Sequence, residues 1–308
     1  MAETLKSKNI LSYEEILDRL ERSDTRLALA ACVVEELYPD AAGIAEDILR
    51  YCAHRYPGVD IIGEYVVRVA GLEELQNRFD VNSRVEFLGD PSAVVPRDRY
   101  NISLLLSIVL TNHRFEIMRE LDGFLRRLGP DTRRIASIGT GTGFELRLIA
   151  SALPLRLRIE SYDIDPTAKE EAVRYLRFFG IDPTMIFANE FPLDFVDASF
   201  ENAFDALILC EVLEHLPNPA RALANVRNCL TGNGHAFLTM AVNIAQEDHI
   251  FLYDDLESCR RQIRDAGLEI VREWITPQTS VIPPADPADR AIGFRKGNYV
   301  SDTIRRRG

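Results

Sequence analysis

The residues with the most chemical content lie in two short stretches of the second half of the chain. Ile138-Gly139-Thr140-Gly141-Thr142-Gly143 follows an apolar run and opens a helical pattern. Glycines at alternate positions permit a tight strand-to-helix turn and let backbone N–H groups approach a ligand. Gly139, Thr140, Gly141 and Gly143 therefore read as the cradle of a nucleotide-type cofactor. Glu211-Val212-Leu213-Glu214-His215 leaves the end of a second apolar run, Phe204–Cys210. In an open parallel sheet ligands bind beyond the carboxyl ends of the strands, so two carboxylates and an imidazole would meet a substrate hydroxyl or a metal ion there.

A third segment belongs with these two. Glu160-Ser161-Tyr162-Asp163-Ile164-Asp165-Pro166 ends an apolar run in an acidic residue 24 positions after Gly139. A carboxylate at such a strand end accepts ribose hydroxyls. Asp163, with Ile164 beside it, is the first choice for this role and Asp165 the second, although Asp165 also reads as the cap of a helix beginning at Pro166. Dinucleotide-binding domains carry G-x-G-x-x-G, which would need glycine at position 144. Phe144 stands there, and the third glycine comes one residue early.

The elements that must hold these residues follow from periodicity. After Pro130, strand-length apolar runs alternate with amphipathic helices, the pattern of a doubly wound α/β sheet. Strands are expected at Ile135–Ile138, Leu157–Tyr162, Met185–Phe187, Ala206–Cys210, His235–Ala241, Glu269–Ile275 and Asn298–Thr303, with helices starting near Phe144, Pro166, Asn218 and Asp254. Before Pro130 the chain reads as helical. Ser12 is a candidate N-cap ahead of Ile16 and Leu20, and a following helix carries Leu27, Leu29 and Val33. Further helices are expected at Ala41–Tyr56, Ile61–Phe79 and Tyr100–Leu128, with Pro57-Gly58 as a break. The expected division is a helical lid, substrate or dimerisation domain over residues 1–112 and an α/β domain over residues 113–308.

The order and spacing of these motifs resemble the class I S-adenosylmethionine-dependent methyltransferases. The resemblance implies a Rossmann-like seven-stranded sheet and S-adenosylmethionine as cofactor, with Asp163 on the ribose, Asn189 and Glu190 near the adenine, and Cys210 near the methionine. One departure is Ser137, which stands where the family has an acidic residue two positions before the first glycine. Cys210-Glu211-Val212-Leu213-Glu214-His215-Leu216-Pro217 is similar to ubiquinone-pathway O-methyltransferases and to enzymes that methylate the terminal 2′-hydroxyl of small RNAs. In both groups E-x-x-E-H and a later histidine can hold a divalent cation, and by that resemblance Glu211, Glu214, His215 and His249 are the candidate ligands for Mg²⁺, Mn²⁺, Fe²⁺ or Zn²⁺. Glu214, His215 and His249 are the catalytic candidates. Two other readings of the same residues stay open: a metal-free general base on His215 or His249, and side chains that satisfy loop backbone groups.

Composition narrows the function. The net charge is −12, from 48 acidic and 36 basic residues among 308. Such a field repels a phosphate backbone, so RNA 2′-O-methylation is the weaker alternative and a small-molecule acceptor with an O or N nucleophile the stronger. A non-catalytic cofactor-binding regulatory module is a third reading, opposed by the carboxylates and histidine facing the cleft. The five cysteines are widely spaced with no C-x-x-C pair, as in a reducing cytoplasm. No run reaches the ~20 apolar residues that cross a bilayer. A helical N-terminal segment also allows a homodimer.

Overall fold

The computed structural model describes residues 11–81, 96–153, 157–186, 194–197, 199–277 and 298–306. The described residues fall into two compact units. One holds those within Met1–Gly71 and Val95–Phe115, and the other those within Leu72–Val94, Glu116–Gln278 and Arg295–Gly308.

The first unit is helical. It contains α1 (Tyr13–Ser23), α2 (Thr25–Leu37), α3 (Ala41–Arg55), the first half of α4 (Ile61–Val81), α5 (Arg97–Leu110) and the start of α6 (Asn112–Arg127). Ser12 forms a reciprocal capping box with Glu15, which fixes the start of α1. The Tyr13 hydroxyl donates toward the carbonyls of Ala31 and Val109, each at 3.1 Å, and so ties α1 to α2 and α5. Ile16, Leu20 and Leu27 enter the core, but Leu29 points outward with 43% of its surface exposed. On α2 the inward face is Leu27, Ala28, Ala30, Ala31 and Val34, and Leu29 lies about 100° per residue away from its neighbours in that set. The single helix expected over Tyr100–Leu128 is two. Thr111 adopts an extended conformation (φ −135°, ψ 134°), and its hydroxyl donates back to the Ser107 carbonyl at 2.7 Å. This β-branched residue ends α5 while its own carbonyl accepts from Phe115 to start α6.

The second unit is a mixed sheet between helical layers. Its described strands are β1 (Arg134–Ile138), β2 (Arg158–Tyr162), β3 (Phe204–Leu209), β4 (Leu230–Val242), β5 (Leu268–Pro277) and β6 (Asn298–Arg306). They lie in the order β2-β1-β3-β4-β6-β5, with β6 antiparallel to both neighbours and the first four strands parallel. Strand side chains alternate between two cores, as a period of two requires. Leu207 and Leu209 of β3, with Leu238 and Met240 of β4, pack under α9 (Pro219–Cys229) and α10 (Leu256–Asp265). Ala206, Ile208 and Phe237 pack on the other side, under α6, α7 (Phe144–Ala152) and α8 (Ala168–Phe178). The strand expected at Met185–Phe187 is not present at Met185, which closes a 3₁₀ turn over Pro183–Met185; Phe187 lies outside the described residues. Asp182 accepts from the Thr184 amide at 2.9 Å, and Pro183 supplies the helical φ, so the turn is locked. Six strands, not seven, are therefore seen among the described residues.

The order of β2, β1 and β3 makes this a doubly wound sheet. The chain leaves β1 for β2 on one side and returns to β3 on the other. The crevice at that reversal opens beyond the C-terminal ends of β1 and β3, where the two motif stretches emerge.

Candidate active site

The cofactor cradle starts where β1 stops. Gly139 donates its N–H to the Tyr162 carbonyl at 2.9 Å, one step beyond the β1–β2 pairing, and takes a φ of +80°. A Cβ at this position would lie 2.8 Å from the Val212 side chain. Gly143, at φ +87°, precedes the first residue of α7, and a Cβ there would come within 2.8 Å of the Ala172 Cα on α8. The third glycine thus serves helix packing as well as the turn. Between them Thr140 and Ser161 share a buried hydroxyl–hydroxyl bond of 2.7 Å that joins the turn to β2.

Asp163 stands at the end of β2 and faces this turn. Its carboxylate accepts from Gly141 N–H at 3.2 Å and from Asp165 N–H at 2.9 Å. Burial raises its pKa above the ordinary carboxylate value despite those two amides. Ile164 beside it leaves 69% of its surface exposed, an apolar plate next to the carboxylate. Asp165 is occupied differently: its Oδ1 accepts from the Thr167 amide and hydroxyl, both at 2.8 Å, ahead of α8. Asn189 and Glu190 lie outside the described residues.

β3 delivers the second motif. Cys210 is half-buried beside the core under α7 and α8. Glu211 takes a positive φ of 54°, unusual for a residue with a side chain. Thr239 of β4 holds it there. The Glu211 N–H donates to Thr239 Oγ1 at 2.8 Å, and that hydroxyl donates to Glu211 Oε1 at 2.5 Å. A single 3₁₀ turn, Leu213–His215, follows, with Leu213 anchored in the core and Glu214 fully buried. The Glu214 carbonyl accepts from the amides of Ile250 and Phe251, each at 3.0 Å, so the loop after β4 is pinned to this turn.

That pinning brings the two histidines together. The rings of His215 and His249 are 5.0 Å apart at 81°. Ligand-capable atoms of Glu214, His215 and His249 all lie within 4.8 Å of one another. His215 Nδ1 is 3.0 Å from the Asp248 carbonyl and 3.5 Å from its carboxylate; His249 Nδ1 is 3.0 Å from the Ile244 carbonyl. A carbonyl oxygen only accepts, so each Nδ1 must carry its proton. In its neutral form such a ring places its lone pair on Nε2. This is the arrangement by which backbone carbonyls orient metal-binding or basic imidazoles. Glu211 is not a member of the Glu214–His215–His249 group.

Three contributors carried no sequence signal. Thr239 is a buried strand residue. Asp248 supplies its carbonyl, which any residue would do. Gln76, on the second half of α4, spans the loop after β4: its Nε2 donates to the Asn243 carbonyl at 3.0 Å and its Oε1 accepts from Ala245 N–H at 2.8 Å. The other histidines stand apart from this chemistry. His54 is exposed on α3, His235 is half-buried in β4, and His113 is buried in the first unit.

Comparison with known proteins gives the family. A methyltransferase domain model matches residues 110–273, just over half of the chain. Among solved structures, the mitomycin 7-O-methyltransferase is 14% identical, with 88% of this chain and 74% of that one covered at a TM-score of 0.49. An S-adenosylmethionine-dependent methyltransferase from Clostridium acetobutylicum is 10% identical, with 68% and 99% covered at a TM-score of 0.48. No curated protein matches the chain. With a glycine turn after β1, an acid after β2 and the matched domain spanning both motifs, the chain belongs to the class I S-adenosylmethionine-dependent methyltransferase family.

Proposed function

We propose that this protein transfers the methyl group of S-adenosylmethionine to an oxygen or nitrogen nucleophile of a small-molecule acceptor. The observation that carries this reading is the pair of imidazoles beside Glu214, both fixed as Nδ1–H tautomers, at the end of the sheet that also carries the glycine turn. The turn at Gly139–Gly143 and the carboxylate of Asp163 fit a nucleoside: backbone N–H groups approach the ligand, and Asp163 accepts the ribose hydroxyls. An Nε2 lone pair on His215 or His249 takes the proton of an acceptor hydroxyl as the methyl arrives, or that of an acceptor ammonium beforehand so that the nitrogen has a lone pair to attack with; the sulfonium leaves as the neutral thioether S-adenosylhomocysteine. Buried Glu214 stabilises the imidazolium that results.

One carboxylate and two neutral imidazoles also fit a divalent cation, held by Glu214, His215 and His249, which when bound would polarise an acceptor oxygen and lower the pKa of its hydroxyl. In this reading residues 113–308 carry the chemistry, while the helical residues 1–112 select the acceptor and support a homodimer. The five cysteines are free thiols, which fits a cytoplasmic protein.

The test combines transfer with binding. Radiolabelled S-adenosylmethionine would be offered with a panel of hydroxylated and amine-bearing small molecules, with and without Mn²⁺. Transfer by the wild type, lost in Glu214→Gln while S-adenosylhomocysteine affinity is kept, is expected. Dependence on Mn²⁺, with one ion bound per chain and its affinity lost in His249→Ala, would support the metal. Cofactor binding without transfer to any acceptor would sink the catalytic reading.

A further inference from the structure

We propose that Gln76 of α4 is a positioning residue that selects the tautomer of His249, acting through one peptide group of the loop after β4. This deepens the reading of His249 as base or metal ligand and rests on it. The Ile244–Ala245 peptide has a bond at each end. Its N–H donates to Gln76 Oε1 at 2.8 Å, and its carbonyl accepts from His249 Nδ1 at 3.0 Å. A peptide group is planar, so the two bonds cannot turn independently. Gln76 therefore fixes the plane, and the plane presents an oxygen, not an N–H, to the imidazole.

The surroundings leave the tilt of this plane as the freedom that Gln76 removes. Buried Ile244 packs with Ile117 of α6 and Ala241 of β4, which anchors its Cα. Asn243, at a left-handed φ of 55°, is tied down as well: its N–H donates to the Tyr253 carbonyl at 3.0 Å and its side-chain amide to the Asp254 carbonyl at 2.8 Å. Gln76 Nε2 donates to the Asn243 carbonyl at 3.0 Å. One buried side-chain amide thus serves a carbonyl and an N–H two residues apart. Only one orientation of that amide does both, because the carbonyl needs a donor and the N–H an acceptor.

Without the glutamine, two orientations of the peptide become comparable. In the observed one, the Ala245 N–H is buried without this acceptor. Turned over, the N–H faces His249 Nδ1 and the carbonyl gives up the imidazole instead, a loss that folded proteins tolerate somewhat better. A ring facing an N–H must accept on Nδ1. Its proton then moves to Nε2, and no lone pair remains there to take a proton or hold a cation. His215 has no share in this relay. Its Nδ1 meets the Asp248 carbonyl at 3.0 Å, and the N–H of that same peptide, on His249, donates to the Gln246 carbonyl at 3.3 Å. The loop's own backbone holds that plane, which makes His215 an internal reference.

Long-range ¹H–¹⁵N correlation spectra of protein labelled at the histidine nitrogens, recorded at about pH 8 where imidazoles are neutral, read each tautomer directly. His249→Gln and His215→Gln assign the two rings. The wild type is expected to show both as Nδ1–H. Gln76→Met, close in shape but without either bond, should lower the ratio of Nδ1–H to Nε2–H at His249 by ~5-fold or more and leave His215 as it was. Gln76→Glu, which keeps an acceptor for the Ala245 N–H, should hold His249 within about twofold of the wild type. Thermal melting checks that each variant is folded. Four results would each overturn the inference: a wild-type His249 without the Nδ1 proton, an unchanged His249 in Gln76→Met, an equal shift of both rings, or a Gln76→Glu that shifts as far as Gln76→Met. The readout needs no acceptor. A wild type that methylates nothing would bring down the methyl-transfer reading, while the tautomers would still report on Gln76.

Discussion

At Gly143 two demands meet in one residue: a left-handed φ of +87° and a Cα that α8 crowds to within 2.8 Å of where a Cβ would sit. Gly143→Ala should therefore lose roughly 2–4 kcal/mol, the sum of backbone strain and overpacking against backbone that has no rotamer to yield. Urea denaturation with an unchanged m-value would measure it, and a loss below half a kcal/mol would show that α8 can move aside. Asp163 gives a second test. Burial raises its pKa, and in the proposed role the anion accepts hydrogen bonds from the ribose hydroxyls. Affinity for S-adenosylhomocysteine is then complete above the raised pKa and falls as pH drops through it, at a higher pH than an ordinary carboxylate would allow. Titrations downward from pH 8 should show the fall begin at a higher pH than an ordinary carboxylate would give, and Asp163→Asn should bind weakly and without it.

At the scale of elements, the loop after β4 that carries His249 depends on a helix far from it in sequence. Gln76 of α4 bonds both sides of the Asn243–Ala245 bend, where Asn243 takes a φ of 55°. Gln76→Leu keeps the volume and removes both bonds, leaving a carbonyl and an amide without this partner. About 1–3 kcal/mol of local stability should go. Amide exchange at Ala245 and through residues 246–249 should accelerate while exchange in β3 stays slow. Unchanged protection at Ala245 would mean the loop is held from elsewhere. The same scale explains why α5 and α6 read as one helix: a break made by one extended residue, Thr111, leaves the apolar period on either side intact.

For the molecule as a whole, charge and burial set the response to solution conditions. His113 is buried in the first unit, and burial, helped by Arg114, lowers its pKa from 6.5 to about 3. The folded state keeps it neutral while the unfolded chain takes a proton below pH 6.5. Its contribution is therefore fully present above pH 6.5 and is lost as pH falls toward 3, at about 1.4 kcal/mol per pH unit. Urea midpoints between pH 7 and pH 4.5 should fall, and less so in His113→Gln once each is referred to its own value at pH 7. Parallel curves would show that other groups govern acid unfolding. The −12 charge predicts no salt-sensitive retention of the protein on single-stranded RNA; retention at low salt that is lost as salt rises would revive the RNA acceptor.

Local chemistry was readable in the chain itself. Glycines at 139, 141 and 143 allow the left-handed conformations of a tight turn, so that turn, an acidic residue at the end of β2 and the strands β1 to β4 followed from composition and period. The capping box at Ser12 is equally local. At Met185 the expected strand is a 3₁₀ turn instead, because the Asp182-Pro183 turn outweighs β-propensity over so few residues. What the tertiary structure alone decided is long-range. The order β2-β1-β3 put both motifs at one reversal of the sheet. The amides of Ile250 and Phe251, bonded to the Glu214 carbonyl, carried His249 to His215 across 34 residues. Glu211 is bonded to Thr239 across the β3–β4 pair, a partnership that no local spacing announces. Spacing along a chain constrains which side chains are neighbours only within one turn or strand; which of them share a proton or a charge is settled by backbone hydrogen bonds between segments that no local pattern encodes.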